Sequence, residues 1–318
     1  MLATERGVIE TGAPIPTWFG VGGAADALAR PASPDHLRLL LAEHPIVRML
    51  GDGANLLVDD SGVDGLVISA ERMRRVGAPE RLRNSDDVII AAEAGASLPR
   101  LINDCVRDGL AGLESLGGIP ASVGGAVMMN AGGAFGQIAD AVERVHALTR
   151  EGAERTIERG DIGFGYRRSG LEGLVIAAVD LRLRPADPSA LRERHLEVMR
   201  YKKNSQPMAE RSAGCFWKNP DAPEGWGGPR SPDGARVSAG WLIDRAGLKG
   251  LRAGAASVSP VHANFVVTEA GATAGDVLSL MRQVRSRVAE AFGIALIPEV
   301  AIWRRGEFDP ARNGGAAL

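Results

Sequence analysis

Between Gly112 and Gly136 the chain reads GLESLGGIPASVGGAVMMNAGGAFG, and no charged side chain occurs from Ser115 through Ala139. Glycines stand in pairs at 117–118, 124–125 and 132–133, which leaves backbone N–H groups bare and open to close approach. Amides presented in this way can hold a phosphate without lysine or arginine. A second cluster, Gly51-Asp52-Gly53-Ala54-Asn55, directly follows the apolar run IVRML. Two such loops, far apart in sequence, can clamp one extended dinucleotide from two sides. Two plainer readings stand beside this one. A membrane span is unfavourable because Pro120, Asn130, Gln137 and seven glycines would make a poor helix. A buried glycine-rich core turn stays open on this segment alone. The GxGxxA pattern at Gly20, Gly22 and Ala25 lacks a preceding buried strand and lies too near the N-terminus, so it is not a Rossmann site.

The surrounding elements follow from caps and periodicity. Ser33-Pro34 opens a helix with Leu37, Leu40 and Leu41 on its apolar face. Ser97 caps another with Leu98, Leu101, Ile102, Cys105 and Val106 on one side, stopped by Gly109. Cys105 therefore belongs to the core. IVRML (46–50), ANLLV (54–58), GLVIS (65–69), VERVHALTR (142–150) and LVIAAVDLRLR (174–184) read as strands. Asp187-Pro188 opens a helix over 188–202, and Thr273 with Asp276 forms a capping box before a long helix ended by Gly293. On an extended segment Cys215, Trp217 and Asn219 would share one face. The mixture predicts an α+β fold.

Length and composition bound the function. At 318 residues with 45% hydrophobic and 24% charged side chains, the chain is an ordinary globular protein of two or three domains. A net charge of −2 gives no global basic field, so a small molecule is expected as partner, with no nucleic acid and no membrane surface. Two distant cysteines and no visible signal peptide place the protein in a reducing cytoplasm. A monomer is expected. The five histidines show no metal-ligand spacing, so no metal is implied.

At this point several segments carry a family resemblance. TWFGVGGAA (17–25), LGDGANLLV (50–58) and the glycine-rich segment at 112–132 resemble the FAD-binding half of the UDP-N-acetylenolpyruvoylglucosamine reductase (MurB) family. FGYRRSGL (164–171), AGCFWKNP (213–220), AGWLIDRAGLKG (239–250), HANF (262–265) and PEVAIW (298–303) resemble the same family in the same order. The resemblance implies a two-part FAD-binding domain of the PCMH type over 1–186, split near 75. A substrate-binding α+β domain over 187–304 and a loose tail over 305–318 would follow. It implies FAD and NADPH as cofactors and a nucleotide-sugar substrate, reduced during peptidoglycan precursor synthesis. FAD would lie against Gly51, Asp52, Gly53, Ala54 and Asn55 and against Gly118, Ile119, Pro120, Ser122, Gly124, Gly125 and Ala126.

Hydride addition to the β-carbon of an enolpyruvyl carboxylate throws negative charge onto the carboxylate as an enolate. Something cationic must hold that charge, and something acidic must protonate the α-carbon. Arg167 matches the family's arginine that polarises the substrate carboxylate, and a guanidinium does so with two parallel hydrogen bonds. Arg168 beside it reads as solvated. Glu299 matches the glutamate that assists, an odd carboxylate among apolar neighbours unless paired. Cys215 stands where the family more commonly has serine as proton donor, and a thiol has a reference pKa of about 8.5. The resemblance also implies substrate contacts at Tyr166, Lys203, Asn219 and Lys249, whereas His262 and Asn264 read as structural. Only 35 residues separate Arg167 from Lys203, so the extra tyrosine-bearing loop of some relatives has no room. The alternatives are another PCMH-type flavin oxidoreductase and a flavin- or nucleotide-sugar-binding paralogue that has lost turnover through the change at Cys215.

Overall fold

A computed structural model of the chain describes residues 9–44, 46–231 and 234–309. Strands β1 (Ile9–Pro14), β2 (Ala24–Ala29), β3 (Val47–Leu50), β4 (Leu56–Val58) and β5 (Val63–Ser69) build the first subdomain with helix α1 (Pro34–Glu43). Its four-stranded sheet has the order β1-β2-β5-β3, antiparallel at β1/β2 and parallel elsewhere. Ser33 caps α1 by accepting from the His36 N–H at 3.3 Å, with Pro34 at the first helical position. Leu37, Leu40 and Leu41 then pack on Val47, Leu66 and Ile68 of the sheet, as the sequence periodicity requires.

The second subdomain is an antiparallel sheet centred on an eleven-residue strand. Strand β6 (Val88–Glu93), helix α2 (Leu98–Arg107) and the one-turn helix α3 (Val123–Met128) come first. Strands β7 (Val142–Leu148), β8 (Glu154–Glu158) and β9 (Val175–Pro185) follow, and the order is β8-β7-β9-β6. The apolar faces of α2 and α3 cover one side of this sheet, with Cys105 among the buried residues. Cys105 is core, as its place on the apolar stripe predicts.

Helix α4 (Pro188–Ser205) starts at Asp187, whose carboxylate accepts from the Ser189 N–H. Although the domain expectation assigns this helix to the C-terminal part, it packs on α2 and on the turn at 114–116. Helices α5 (Ala239–Arg245) and α6 (Ala274–Phe292) then enclose a three-stranded sheet that contains β10 (Ala256–Val258) and β11 (Val266–Thr268). The Thr273/Asp276 capping box is present, and Gly293 ends α6 at φ +68° in the left-handed region. Asp60 of the first subdomain adds a second cap, its two oxygens accepting from the N–H groups of Ala274 and Gly275 at 2.8 Å.

Strand β12 (Ala301–Trp303) returns to the first subdomain and pairs parallel with β4. The segment after it is not loose through residue 309. Arg48 on β3 is fully buried and donates to the backbone carbonyls of Arg304 and Glu307 at 3.2 and 3.0 Å and to the Asp64 carboxylate at 3.1 Å. Arg305 pairs with Asp26 at 2.7 Å, and Phe308 lies under the guanidinium of Arg48. A buried arginine needs acceptors on every side, and the tail supplies two of them. Residues 310–318 lie outside the described residues.

Arg48→Met removes the donor that those carbonyls use. Breaking a buried charged network of this kind costs about 3–5 kcal/mol, so urea unfolding should show a large drop in midpoint. Limited proteolysis should cut near 304–309 before the rest of the chain unfolds. An unchanged midpoint with a protected tail would contradict the role given to Arg48.

Candidate active site

One cavity of about 1040 Å³ runs between the two subdomains and the C-terminal domain. Both glycine-bearing loops line it. All of Gly51, Asp52, Gly53, Ala54 and Asn55 face it, as do Gly118, Ile119, Pro120, Ser122, Gly124, Gly125 and Ala126. The loops touch each other: a Cβ on Gly51 would stand 2.4 Å from the Ser122 hydroxyl oxygen. Ser122 itself caps α3, accepting from the Gly125 N–H at 3.3 Å.

These walls fit an FAD molecule. Among the described residues the N–H groups of Asp52, Gly53, Ala54, Gly118 and Ala121 have no protein acceptor, and bare amides of this kind suit a diphosphate. Gly125 is exposed to the cavity, and a Cβ there would meet only the Ser122 hydroxyl oxygen at 3.2 Å. Gly124 differs from its neighbour. Its missing Cβ makes room for Ala94 on the adjoining chain, at 2.7 Å from Cβ to Cβ, so it serves contact within the protein.

The far wall holds the charged groups. Arg167 sits in a tight hairpin closed by reciprocal backbone hydrogen bonds between Gly165 and Arg168, with φ +54° at Arg167 itself. A non-glycine residue in that region is uncommon and costs energy, which is a feature of functional sites. Its Nε lies 2.6 Å from Glu299 Oε1, an ion pair with both side chains mostly buried. The Nε–H is not aligned on the carboxylate as a hydrogen bond, so the attraction is charge on charge. Burial works against the Arg167 charge, but Glu299, Tyr166 and Cys215 together outweigh it and the guanidinium is held above its usual range. Burial pushes the Glu299 carboxyl up, with Arg167 opposing. Glu299 is fixed through its backbone as well: its N–H donates to Phe216 O at 2.9 Å, and its carbonyl accepts from Asn55 Nδ2 at 3.2 Å.

Cys215 lines the same cavity as Arg167 and Glu299. Its segment is irregular, touching Phe265 through Cys215 and Pro298 through Trp217. The expected alternation fails here. Trp217 is 1% exposed and belongs to the core with Phe216, while Lys218 joins Cys215 on the cavity wall. Asn264, buried, causes this: its amide oxygen accepts from the Trp217 N–H at 2.9 Å and its NH₂ donates to Trp217 O at 2.8 Å. Burial pushes the Cys215 thiol up to about 12, with Glu299 adding to it and Arg167 and Lys202 opposing. The reference acidity expected from sequence therefore does not hold at this site.

The remaining sequence-based contacts divide. Tyr166 and Asn219 lie together in a side pocket with Arg168, Lys218 and Arg236, outside the lining of the main cavity. The Tyr166 hydroxyl accepts from the Asn219 N–H at 3.1 Å, and the Asn219 amide oxygen accepts from the Ala239 N–H. Lys203 is exposed and outside both pockets, because α4 turns its neighbour Lys202 inward. Lys249 also lies outside and pairs with Asp244 at 3.0 Å. Lys202 and Lys218 are functional candidates that sequence reasoning missed, whereas Asn264 has the structural role read for it, holding the Trp217 backbone. Lys202 sits one position from the residue singled out, and helical phase was the signal that could have separated the pair. Among the described residues no group of His, Cys, Asp and Glu could hold a metal ion, and no helix is long and apolar enough to cross a membrane.

Comparison with known proteins gives one consistent result. The C-terminal domain of UDP-N-acetylenolpyruvoylglucosamine reductase matches residues 206–303, and an FAD binding domain matches residues 25–158. A UDP-N-acetylenolpyruvoylglucosamine reductase from Desulfosudis oleivorans is 42% identical over 298 residues, 90% of this chain and 91% of that protein. Another, from Gloeobacter violaceus, is 37% identical and spans 91% of this chain and 94% of its own. The crystal structure of UDP-N-acetylenolpyruvylglucosamine reductase from Thermus caldophilus aligns with a TM-score of 0.74 at 39% identity, covering 90% and 95% of the two chains.

Two outcomes follow for this cavity. Gly125→Val should lose bound flavin while circular dichroism stays native, whereas Gly124→Val should lose the fold, since its side chain meets Ala94. Flavin retained by the Gly125 variant would move the cofactor off this loop. Separately, a thiol with a pKa of about 12 is thiolate about one part in 10⁴ at pH 8, against roughly a quarter for a free cysteine. Iodoacetamide should therefore label Cys215 on the order of 10³-fold more slowly in the folded protein than after unfolding. Rapid labelling of the native protein would show the thiol to be far more acidic than its surroundings dictate.

Proposed function

This chain belongs to the UDP-N-acetylenolpyruvoylglucosamine reductase family, and we propose that it reduces UDP-N-acetylglucosamine enolpyruvate to UDP-N-acetylmuramate with NADPH, as a step of peptidoglycan precursor synthesis in the cytoplasm. One observation carries this reading: Arg167, Glu299 and Cys215 line the same cavity as both glycine-bearing loops. Gly51 to Asn55 and Gly118 to Ala126 would hold FAD, which would supply hydride transfer between NADPH and the β-carbon of the enolpyruvyl group.

The chain's own residues handle charge and proton. Glu299 stands 2.6 Å from the Nε of Arg167, and among the described residues the Nη groups donate no hydrogen bond to a protein acceptor. Those Nη groups are free to receive the substrate carboxylate and hold the negative charge that develops on it. Glu299, by pairing, offsets the cost of burying the guanidinium. Cys215 keeps its proton throughout the neutral range, since burial raises its thiol, and in this reading it protonates the α-carbon. The side pocket at Tyr166, Asn219, Lys218, Arg168 and Arg236 offers cations to the nucleotide-sugar diphosphate. Lys203 and Lys249 take no part in this reading.

The purified protein should oxidise NADPH only when the enolpyruvyl nucleotide sugar is added. Arg167→Ala and Glu299→Gln should slow flavin reoxidation by that substrate and leave flavin reduction by NADPH close to wild type. Equal slowing of both halves would remove the assigned roles. Cys215→Ser should keep substantial product formation, and Cys215→Ala should fall by about 10²–10⁴, with mixed labelling at the α-carbon in heavy water. A Cys215→Ala enzyme with wild-type turnover and one stereochemical outcome would make the thiol mere packing.

A further inference from the structure

Arg150 takes no part in the chemistry proposed above, yet it lines the cavity with Met49 and the stretch at 173–176 that opens β9. It follows β7 by two residues, and its Nη1 donates to Val47 O at 2.6 Å, which ties the second subdomain to the start of β3. The C-terminal tail reaches the same place. The Arg150 Cζ stands over the Phe308 ring, 5.4 Å from its centroid, and the Arg48 Cζ stands over that ring at 5.2 Å. Arg48 also holds the carbonyls of Arg304 and Glu307, so the backbone leading to Phe308 is itself fixed.

Along the cavity, Arg150 sits away from the reacting groups. Glu299 adjoins the first glycine-bearing loop, its carbonyl accepting from Asn55 Nδ2 at 3.2 Å. Arg150 instead meets β3 at Val47, four residues before Gly51, a span of about 13 Å at the usual strand rise. The bare amides of Asp52, Gly53 and Ala54 come between Val47 and Asn55. An extended dinucleotide with its diphosphate at those amides and its reacting ring beside Arg167, Glu299 and Cys215 would carry its other end to Arg150.

We propose that Arg150 receives the adenosine half of FAD, and that Phe308 of the tail is the positioning residue that holds it there. This rests on the function proposed above, which places the reacting ring. A guanidinium offers a flat face to a purine and donors to ribose or phosphate oxygens. The Phe308 ring and Val47 O restrain that guanidinium before the cofactor arrives, so less freedom is lost on binding. The coupling is reciprocal: a tail that helps FAD to bind is itself tightened by FAD. FMN has the flavin and one phosphate but no adenosine, and gains nothing from either residue.

Two measurements on the full chain test this. Fluorescence titration of flavin-free protein with FAD and with FMN separates the adenosine half from the rest. Arg150→Met should weaken FAD about 10-fold and leave FMN within about 2-fold of wild type. Phe308→Ala keeps the backbone carbonyls that Arg48 uses, and it should weaken FAD about 3-fold with FMN again unchanged. In the second measurement, trypsin should cleave wild type after Arg304 and Arg305 several-fold more slowly with FAD bound than with FMN bound. Arg150→Met should abolish that difference. Equal weakening of FAD and FMN would reduce both residues to general packing, and tail cleavage indifferent to FAD would remove the coupling; either result overturns the proposal. Should Arg150→Met fail to fold, Phe308→Ala carries the same test. A wild-type protein that binds FAD selectively but does not reduce the enolpyruvyl nucleotide sugar would instead overturn the proposed function.

Discussion

The ion pair between Arg167 and Glu299 is the contact on which the site depends. It joins a hairpin of the second subdomain to the segment that leads into β12, and each partner is held independently. Arg167 is fixed by a left-handed backbone and by stacking near Tyr166. Glu299 is fixed by Phe216 and Asn55, which belong to the C-terminal domain and to the first glycine-bearing loop. Four parts of the chain therefore meet at one residue, Glu299, through its carboxylate and both of its backbone polar groups. A buried pair of this kind adds little net stability, since desolvation consumes most of the attraction. Its value lies in geometry: it sets a guanidinium edge against the cavity without leaving a bare charge.

Burial has opposite uses on the two walls. On one wall, glycines and the uncharged run from Ser115 through Ala139 leave backbone amides bare along the cavity. On the substrate side, burial raises the Cys215 thiol and the Glu299 carboxyl and lowers the Lys202 ammonium. Each shift moves its group toward the neutral form, as desolvation demands. The charges that persist are those given a partner. A site that must take in an anionic substrate and stabilise a more anionic transition state gains from keeping its own negative charge paired.

Much of the fold was legible because local chemistry forced it. Ser33, Ser97, Asp187 and Thr273 each cap the helix that their side chains announce, and the strand-like runs at 46–50, 142–150 and 174–184 coincide with β3, β7 and β9 to within two residues at either end. The glycine loops were legible for a related reason, since bare backbone has few other uses in an uncharged run. Trp217 was misread as sharing a face with Cys215 because alternation assumes a regular strand, and this segment is irregular, its Trp217 backbone held by the side chain of buried Asn264. The tail at 305–309 was misread because its own residues look polar and unanchored. The anchor is Arg48, which sits far away in sequence with nothing local to mark its burial.

The sequence by itself determined the family, the two glycine-bearing loops that line the cavity, and the identities of the arginine, thiol and carboxylate that face it. These rest on residue type and on short-range pattern, which a linear chain displays directly. Only the tertiary structure decided which of two adjacent lysines enters the cavity, that Lys249 stays outside, and how strongly the Cys215 proton is held. Those properties come from helical phase, from solvent exclusion and from charges that meet only after folding, and none is a property of neighbouring residues.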